Sequence, residues 1–94
     1  MYKITKKEKL ADNIYLMYIE APRVAKRCEP GQFVIAKTGE RGERIPLTIC
    51  DYDRKKGTVT IVFQIVGAST KKMALLKKGD YFQDFVGPLG KMSV

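Results

Sequence analysis

Thr58-Val59-Thr60-Ile61-Val62-Phe63-Gln64-Ile65-Val66 is the stretch that decides the fold. Side chains along a strand alternate between its two faces, so Val59, Ile61, Phe63 and Ile65 fall together on one side. Thr58, Thr60 and Gln64 fall on the other, with Val62 and Val66 as apolar exceptions. Just before it, Asp53-Arg54-Lys55-Lys56-Gly57 has the composition of a hairpin loop.

Working outward, short apolar runs separated by Gly, Pro, Asp and Lys favour strands over helices. They predict strands at 2–10, 14–21, 33–37, 45–51 and 81–86 beside the one at 58–66. Residues 14–19 are apolar on both faces, which suggests a strand covered from both sides. Turns are expected at Ala11-Asp12-Asn13 and Pro30-Gly31, and a polar tip at Gly39-Glu40-Arg41-Gly42-Glu43. One helix is predicted, with Thr70 as N-cap, a body at 71–77 and Lys78-Gly79 closing it. Lys71 and Lys72 would then oppose the helix dipole in the first turn, a conflict that a bound phosphate would relieve. The expectation is an all-β domain spanning 1–94: a six-stranded antiparallel barrel with one short helix.

Composition sets the limits of function. The 94 residues carry a net charge of +8, no histidine and two cysteines. Without histidine, the commonest metal ligand and acid–base group is missing, and no side chain reads as a catalytic base or nucleophile. Cys28, in a polar loop, reads as a surface thiol, and Cys50, in a strand, as a small core residue; the two fit no zinc spacing and no disulfide scaffold. No apolar run approaches the roughly 20 residues that span a bilayer, and the N-terminus lacks a signal-like apolar core. A cytoplasmic protein is expected. The basic excess favours anionic partners, but the lysines are scattered in pairs at turns.

Two segments carry chemistry. Arg44-Ile45-Pro46-Leu47-Thr48-Ile49 places a guanidinium and a hydroxyl four residues apart on one strand face. Arginine suits a pyrophosphate, which its planar donors hold bidentately, and a threonine hydroxyl can bond a flavin ring atom. Pro46 removes a ladder donor, so its strand must lie at an edge, a bulge or a ligand-facing gap. Gly67-Ala68-Ser69-Thr70 is a small-residue turn opening a helix, where backbone N–H groups can meet an anion. Gln64-Ile65-Val66 leads into that turn and would pass beside the same ligand. A phosphate tail joined to a flat polar ring would use both segments.

Together with Pro30-Gly31-Gln32-Phe33-Val34 and Gly87-Pro88-Leu89-Gly90, these motifs resemble the flavin domain of the ferredoxin–NADP reductase superfamily. The likeness is closest to the branch of dihydroorotate dehydrogenase electron-transfer subunits and NADH-dependent ferredoxin–NADP oxidoreductases. The resemblance implies a Greek-key barrel binding FAD. Arg44 matches the arginine that meets the FAD pyrophosphate, and Thr48 the hydroxyl near the reactive flavin nitrogen. Pro46 stands where many relatives carry an aromatic ring; Leu47 lies between the two. Gly67, Ser69 and Thr70 match the second phosphate-contacting turn, while Gln64, Ile65 and Val66 match the strand along the flavin. It further implies NAD(P)H and a [2Fe–2S] centre in parts of the parent enzyme absent from this sequence, and a larger iron–sulfur/flavin subunit as partner. The barrel alone would be inactive and could self-associate through an exposed apolar face.

Two other readings remain. A basic OB-like barrel would bind single-stranded nucleic acid through lysines and exposed aromatic rings. Against it, Tyr15, Tyr18, Phe63, Tyr81 and Phe82 lie in dense apolar strands, so no nucleic acid is expected. The third reading is a structural module of a larger complex.

Overall fold

The computed structural model describes residues 2–29, 31–37 and 44–90. Pro30 and the tip expected at Gly39-Glu40-Arg41-Gly42-Glu43 lie outside the described residues. Among the described residues seven strands form: β1 (Tyr2–Ala11), β2 (Ile14–Glu20), β3 (Phe33–Lys37), β4 (Arg44–Asp53), β5 (Thr58–Gln64), β6 (Tyr81–Phe82) and β7 (Asp84–Leu89). Two short helices join them, α1 (Pro22–Arg27) and α2 (Ala68–Ala74). Every strand pair is antiparallel, in the order β6-β1-β2-β5-β4-β3-β7.

The all-β expectation holds, but six Greek-key strands and one helix become seven strands in this order and two helices. The segment read as one strand at 81–86 serves two different neighbours. Phe82 pairs with Tyr2 of β1, whereas Asp84 pairs with Lys37 of β3. Between them the Gln83 N–H donates to the Lys37 carbonyl at 2.9 Å. Because β6 and β7 stand at opposite ends of the order yet adjoin in the chain, the sheet curls back on itself into a nearly closed barrel.

The alternation of β5 fills the barrel. Val59, Ile61 and Phe63 are buried, and Ile4, Met17, Ile19, Val34, Ile49 and Phe82 meet them in one core. Burying an aliphatic or aromatic side chain of this size is worth about 1.5–3 kcal/mol, which makes this cluster the main source of stability. β5 ends at Gln64, two residues short of expectation, and Ile65 then ties back to the first hairpin through its N–H to the Asn13 carbonyl, 2.7 Å.

Helix α1 was not foreseen. Pro22 occupies its first turn, where a missing N–H costs nothing, and Lys26 and Arg27 suit the negative end of its dipole. Its inner face buries Val24 and Ala25. The β4–β5 hairpin clamps it at both ends. Gly57, at φ +70°, lies so close that a Cβ there would sit 3.1 Å from the Pro22 Cβ, and its carbonyl accepts the Ala21 N–H at 2.9 Å. At the far end, the Arg54 guanidinium donates to the Cys28 carbonyl at 3.2 Å.

The cysteines exchange their expected places. Cys28 ends α1 and is buried; Cys50 is exposed. Ile45, Leu47 and Ile49 take the inward positions of β4, which turns Cys50 outward with Pro46 and Thr48. Burial pushes the Cys28 thiol up; partial desolvation, helped by Asp51, does the same for Cys50.

Candidate functional site

β4 changes neighbours along its length. From Ile49 to Asp53 it pairs with β5, and from Arg44 to Thr48 it pairs with β3. The β4–β5 ladder begins at Ile49↔Ile61, while Val62, Phe63 and Gln64 continue only against β2. Cys50 is the extra residue of a bulge at this junction, between the pairs Ile49↔Ile61 and Asp51↔Thr60. Beyond it the two strands part and leave a seam.

Parity fixes what faces that seam. The Ile49 N–H donates to the Gln32 carbonyl on the β3 side, so the peptide groups of Thr48 and Pro46 point the other way. On β5, the Ile65 N–H goes to Asn13 on the β2 side, so those of Gln64 and Val62 point toward β4. Pro46 therefore sits where its missing N–H deprives β3 of no ladder bond. Of the edge, bulge or gap expected at this proline, the structure shows a gap between β4 and β5, in a strand that is central in the order.

A shallow groove of about 380 Å³ follows the seam, lined by Pro46, Thr48, Val62, Gln64, Val66 and Thr70 together with Ile45, Leu47 and Phe63. Arg44, Pro46 and Thr48 are all exposed on the outer face of β4. Arg44 precedes Pro46 by two residues, about 7 Å along the strand, and stands beyond the groove's end. The Leu47 side chain is buried, so only its edge borders the groove. Ile65 is half-buried; it, Gly67 and Ser69 stay outside the lining. The alternation of β5 pointed to Val62 as an outward valine, and here that exception has a place.

The turn beyond β5 differs from expectation. Helix α2 starts at Ala68 with Gly67 as its N-cap, so Thr70 is its third residue rather than its cap. The Thr70 hydroxyl reaches back, accepting from the Val66 N–H at 2.9 Å and the Gly67 N–H at 3.1 Å. A glycine offers no capping side chain, and the threonine hydroxyl engages these amides instead. Lys71 and Lys72 consequently belong to the last turn, where they suit the dipole. The conflict that a phosphate was to relieve is absent. Met73 anchors this helix in the core, and the Lys7 ammonium donates to the Ala74 carbonyl while lying 4.8 Å from the Tyr15 ring centre. Desolvation and neighbouring Lys77 lower the Lys7 pKa.

The remaining motifs meet on the other flank of β4, where β3 pairs with β7. Gln32 accepts the Glu29 N–H at 2.8 Å and donates to the Gly90 carbonyl at 3.1 Å. A Cβ on Gly87 would lie 2.7 Å from Val34 Cγ1, so β7 approaches β3 there as only glycine permits. Of the rings that a nucleic-acid platform would need, Phe63 and Phe82 are buried and Tyr15 stacks on Phe63 at 5.9 Å, whereas Tyr81, expected in the core, is exposed. Among the described residues no cluster of three His, Cys, Asp or Glu could hold a metal, and no helix is long and apolar enough to cross a membrane.

Comparison with known proteins agrees with this architecture. No family model matches the chain. The "Uncharacterized protein in adh 3'region" of Clostridium beijerinckii is 64% identical over 90 residues, covering 96% of this chain and 30% of that protein. A Thermotoga maritima homolog of the dihydroorotate dehydrogenase B (NAD(+)) electron transfer subunit is 43% identical over 91 residues, 97% of this chain and 32% of its own. A solved structure of NADH-dependent reduced ferredoxin-NADP oxidoreductase, described for flavin-based electron bifurcation, superposes with a TM-score of 0.96 at 41% identity. That match covers 100% of this chain and 34% of the other, so the chain spans about a third of the length of these relatives. Homologues of this chain thus include dihydroorotate dehydrogenase B electron transfer subunits, to about a third of whose length it corresponds.

Proposed function

We propose that the seam between β4 and β5 binds the flavin of FAD and that this barrel is the flavin domain of an NAD(P)H:acceptor oxidoreductase. One observation carries the reading: two strands part at a bulge and leave peptide edges and small side chains on an outer groove, with Arg44 on the same face. The residues fit the group. Pro46, Val62 and Val66 offer apolar surface to a flat ring, while Thr48, Gln64 and the outward peptide groups offer donors and acceptors to its polar edge. FAD would supply the redox chemistry, moving electrons between a nicotinamide and a one-electron acceptor.

The chain's own part is binding and placement. Thr48 would hydrogen-bond the ring edge, and its hydroxyl dipole would bias the ring's electronics. Arg44 would hold the pyrophosphate beyond the groove's end. Gly67, Ser69 and Thr70 would border the phosphates, with the Thr70 hydroxyl fixing the turn rather than donating to the ligand. Leu47 and Ile65 would act through backbone position. NAD(P)H, a [2Fe–2S] centre and a larger iron–sulfur/flavin subunit belong to this proposal for the whole enzyme, as does a cytoplasmic location.

Titration with FAD, followed by flavin fluorescence and absorbance, tests it. Binding should be saturable, and Arg44→Ala should weaken it by about 1.5–3 kcal/mol, the worth of a charge-assisted hydrogen bond. The same change should leave thermal stability within about 0.5 kcal/mol, because Arg44 is exposed. No uptake, or uptake indifferent to Arg44 and Thr48, would sink the reading.

A further inference from the structure

A second groove, of about 760 Å³, runs between α1 and β7 and shares no lining residue with the seam. Arg23, Lys26 and Arg27 line one wall, at the i, i+3 and i+4 spacing that puts them on one helix face. Tyr2, Phe85 and Val86 supply an apolar floor, and Val86 is 43% exposed. Among the described residues both ion pairs, Lys6–Glu8 and Lys9–Asp12, lie in the first hairpin, leaving these three cations without a carboxylate partner. Asp84 is the one acidic residue in the lining, and its carboxylate accepts the Phe85 N–H at 2.9 Å. That bond also satisfies an amide near the β7 edge, so this edge is a poor template for an added strand.

We propose that this groove docks an acidic, partly apolar segment of a partner protein. The charge complement calls for anions, and their layout decides which kind. Side chains at i, i+3 and i+4 have Cβ atoms about 5–6 Å apart and spread along the wall. A single phosphate needs donors converging on one point, whereas carboxylates at alternate positions of an extended segment recur every ~7 Å. Apolar residues between them would meet Val86 and the rings of Tyr2 and Phe85, which lie 5.6 Å apart. The proposal is independent of the flavin reading.

The test is fluorescence anisotropy with a labelled ten-residue peptide alternating Glu and Leu, titrated against the full chain. The expected result is saturable binding that weakens about tenfold or more on going from low salt to 0.15 M, as rim charges become screened. Replacing Arg23, Lys26 and Arg27 together by Gln should cost at least about tenfold, and Val86→Asp a similar amount. The charge-matched control Lys72→Gln/Lys77→Gln/Lys78→Gln should leave binding within about twofold. All these side chains are exposed, and circular dichroism with thermal melts verifies that each variant is folded. Equal losses in both triple variants, indifference to Val86→Asp, or no binding at ~1 mM peptide would overturn the proposal. So would displacement by ADP at lower concentration than by unlabelled peptide, which would make the groove a small-anion site.

Discussion

The two halves of β4 obey different rules. Its second half, from Ile49, is hydrogen-bonded to β5 and seals the barrel wall; its first half leaves β5 and pairs with β3 alone. Both halves send alternate aliphatic residues inward: Ile45 and Leu47 are buried in the open half, as Ile49 is at the junction. Core packing therefore does not require the wall to be continuous. The open half keeps its hydrophobic function and gains an outward-facing edge, which is what a ligand site on a small barrel needs.

Large core substitutions test whether the two halves are separable. Ile61→Ala removes a fully buried partner of Ile49 and should cost about 2–5 kcal/mol in urea unfolding. Val62→Ala, one residue on and facing the groove, should cost about 1 kcal/mol or less, with its effect appearing in FAD affinity. Equal stability losses would break the contrast. Thr70→Ala is a smaller perturbation: losing the hydroxyl that gathers the Val66 and Gly67 amides should cost about 1 kcal/mol and loosen the end of the seam.

Thiol labelling sharpens the same contrast without altering the fold. Cys50, on the outer face at the bulge, should react with a thiol reagent in the folded protein, whereas Cys28 should react only on unfolding. Because its pKa is raised, Cys50 should react more slowly than free cysteine at neutral pH. The smallest effect belongs to the closed half's hairpin. Asp53 accepts the Lys55 and Lys56 N–H groups, which holds its carboxyl below the ordinary 3.8. Its stabilisation is present above that value and is lost as pH falls through the depressed folded-state pKa. Melts between pH 5 and pH 2 should show a slightly steeper acid loss for the native chain than for Asp53→Asn.

Legibility followed period. The inward side chains of β5 and the limits of β3 could be read directly, because alternation is a local signal. The seam could be read only in part. Pro46 announced an edge, a bulge or a gap, but which of these holds depends on pairing between distant segments. The cysteines depend on a related point: loop polarity and strand membership say little about burial, whereas the inward alternation of Ile45, Leu47 and Ile49 leaves Cys50 on the outer face. Helix α1 escaped because its six residues carry one apolar stripe, Val24 and Ala25, too short for a helical period to register. The displaced start of α2 shows that a threonine before lysines can serve from inside a helix as well as cap it.

The hairpin that grips α1 at both ends has an engineering consequence. Most hairpin tips absorb added residues into solvent, yet here Gly57 and Arg54 act as the two jaws of a latch. Lengthening residues 54–57 would release the helix, unseat Cys28 and tilt the basic wall beside it. This tip is therefore a poor place for a tag or graft, and a natural place to look for mutations that act at a distance.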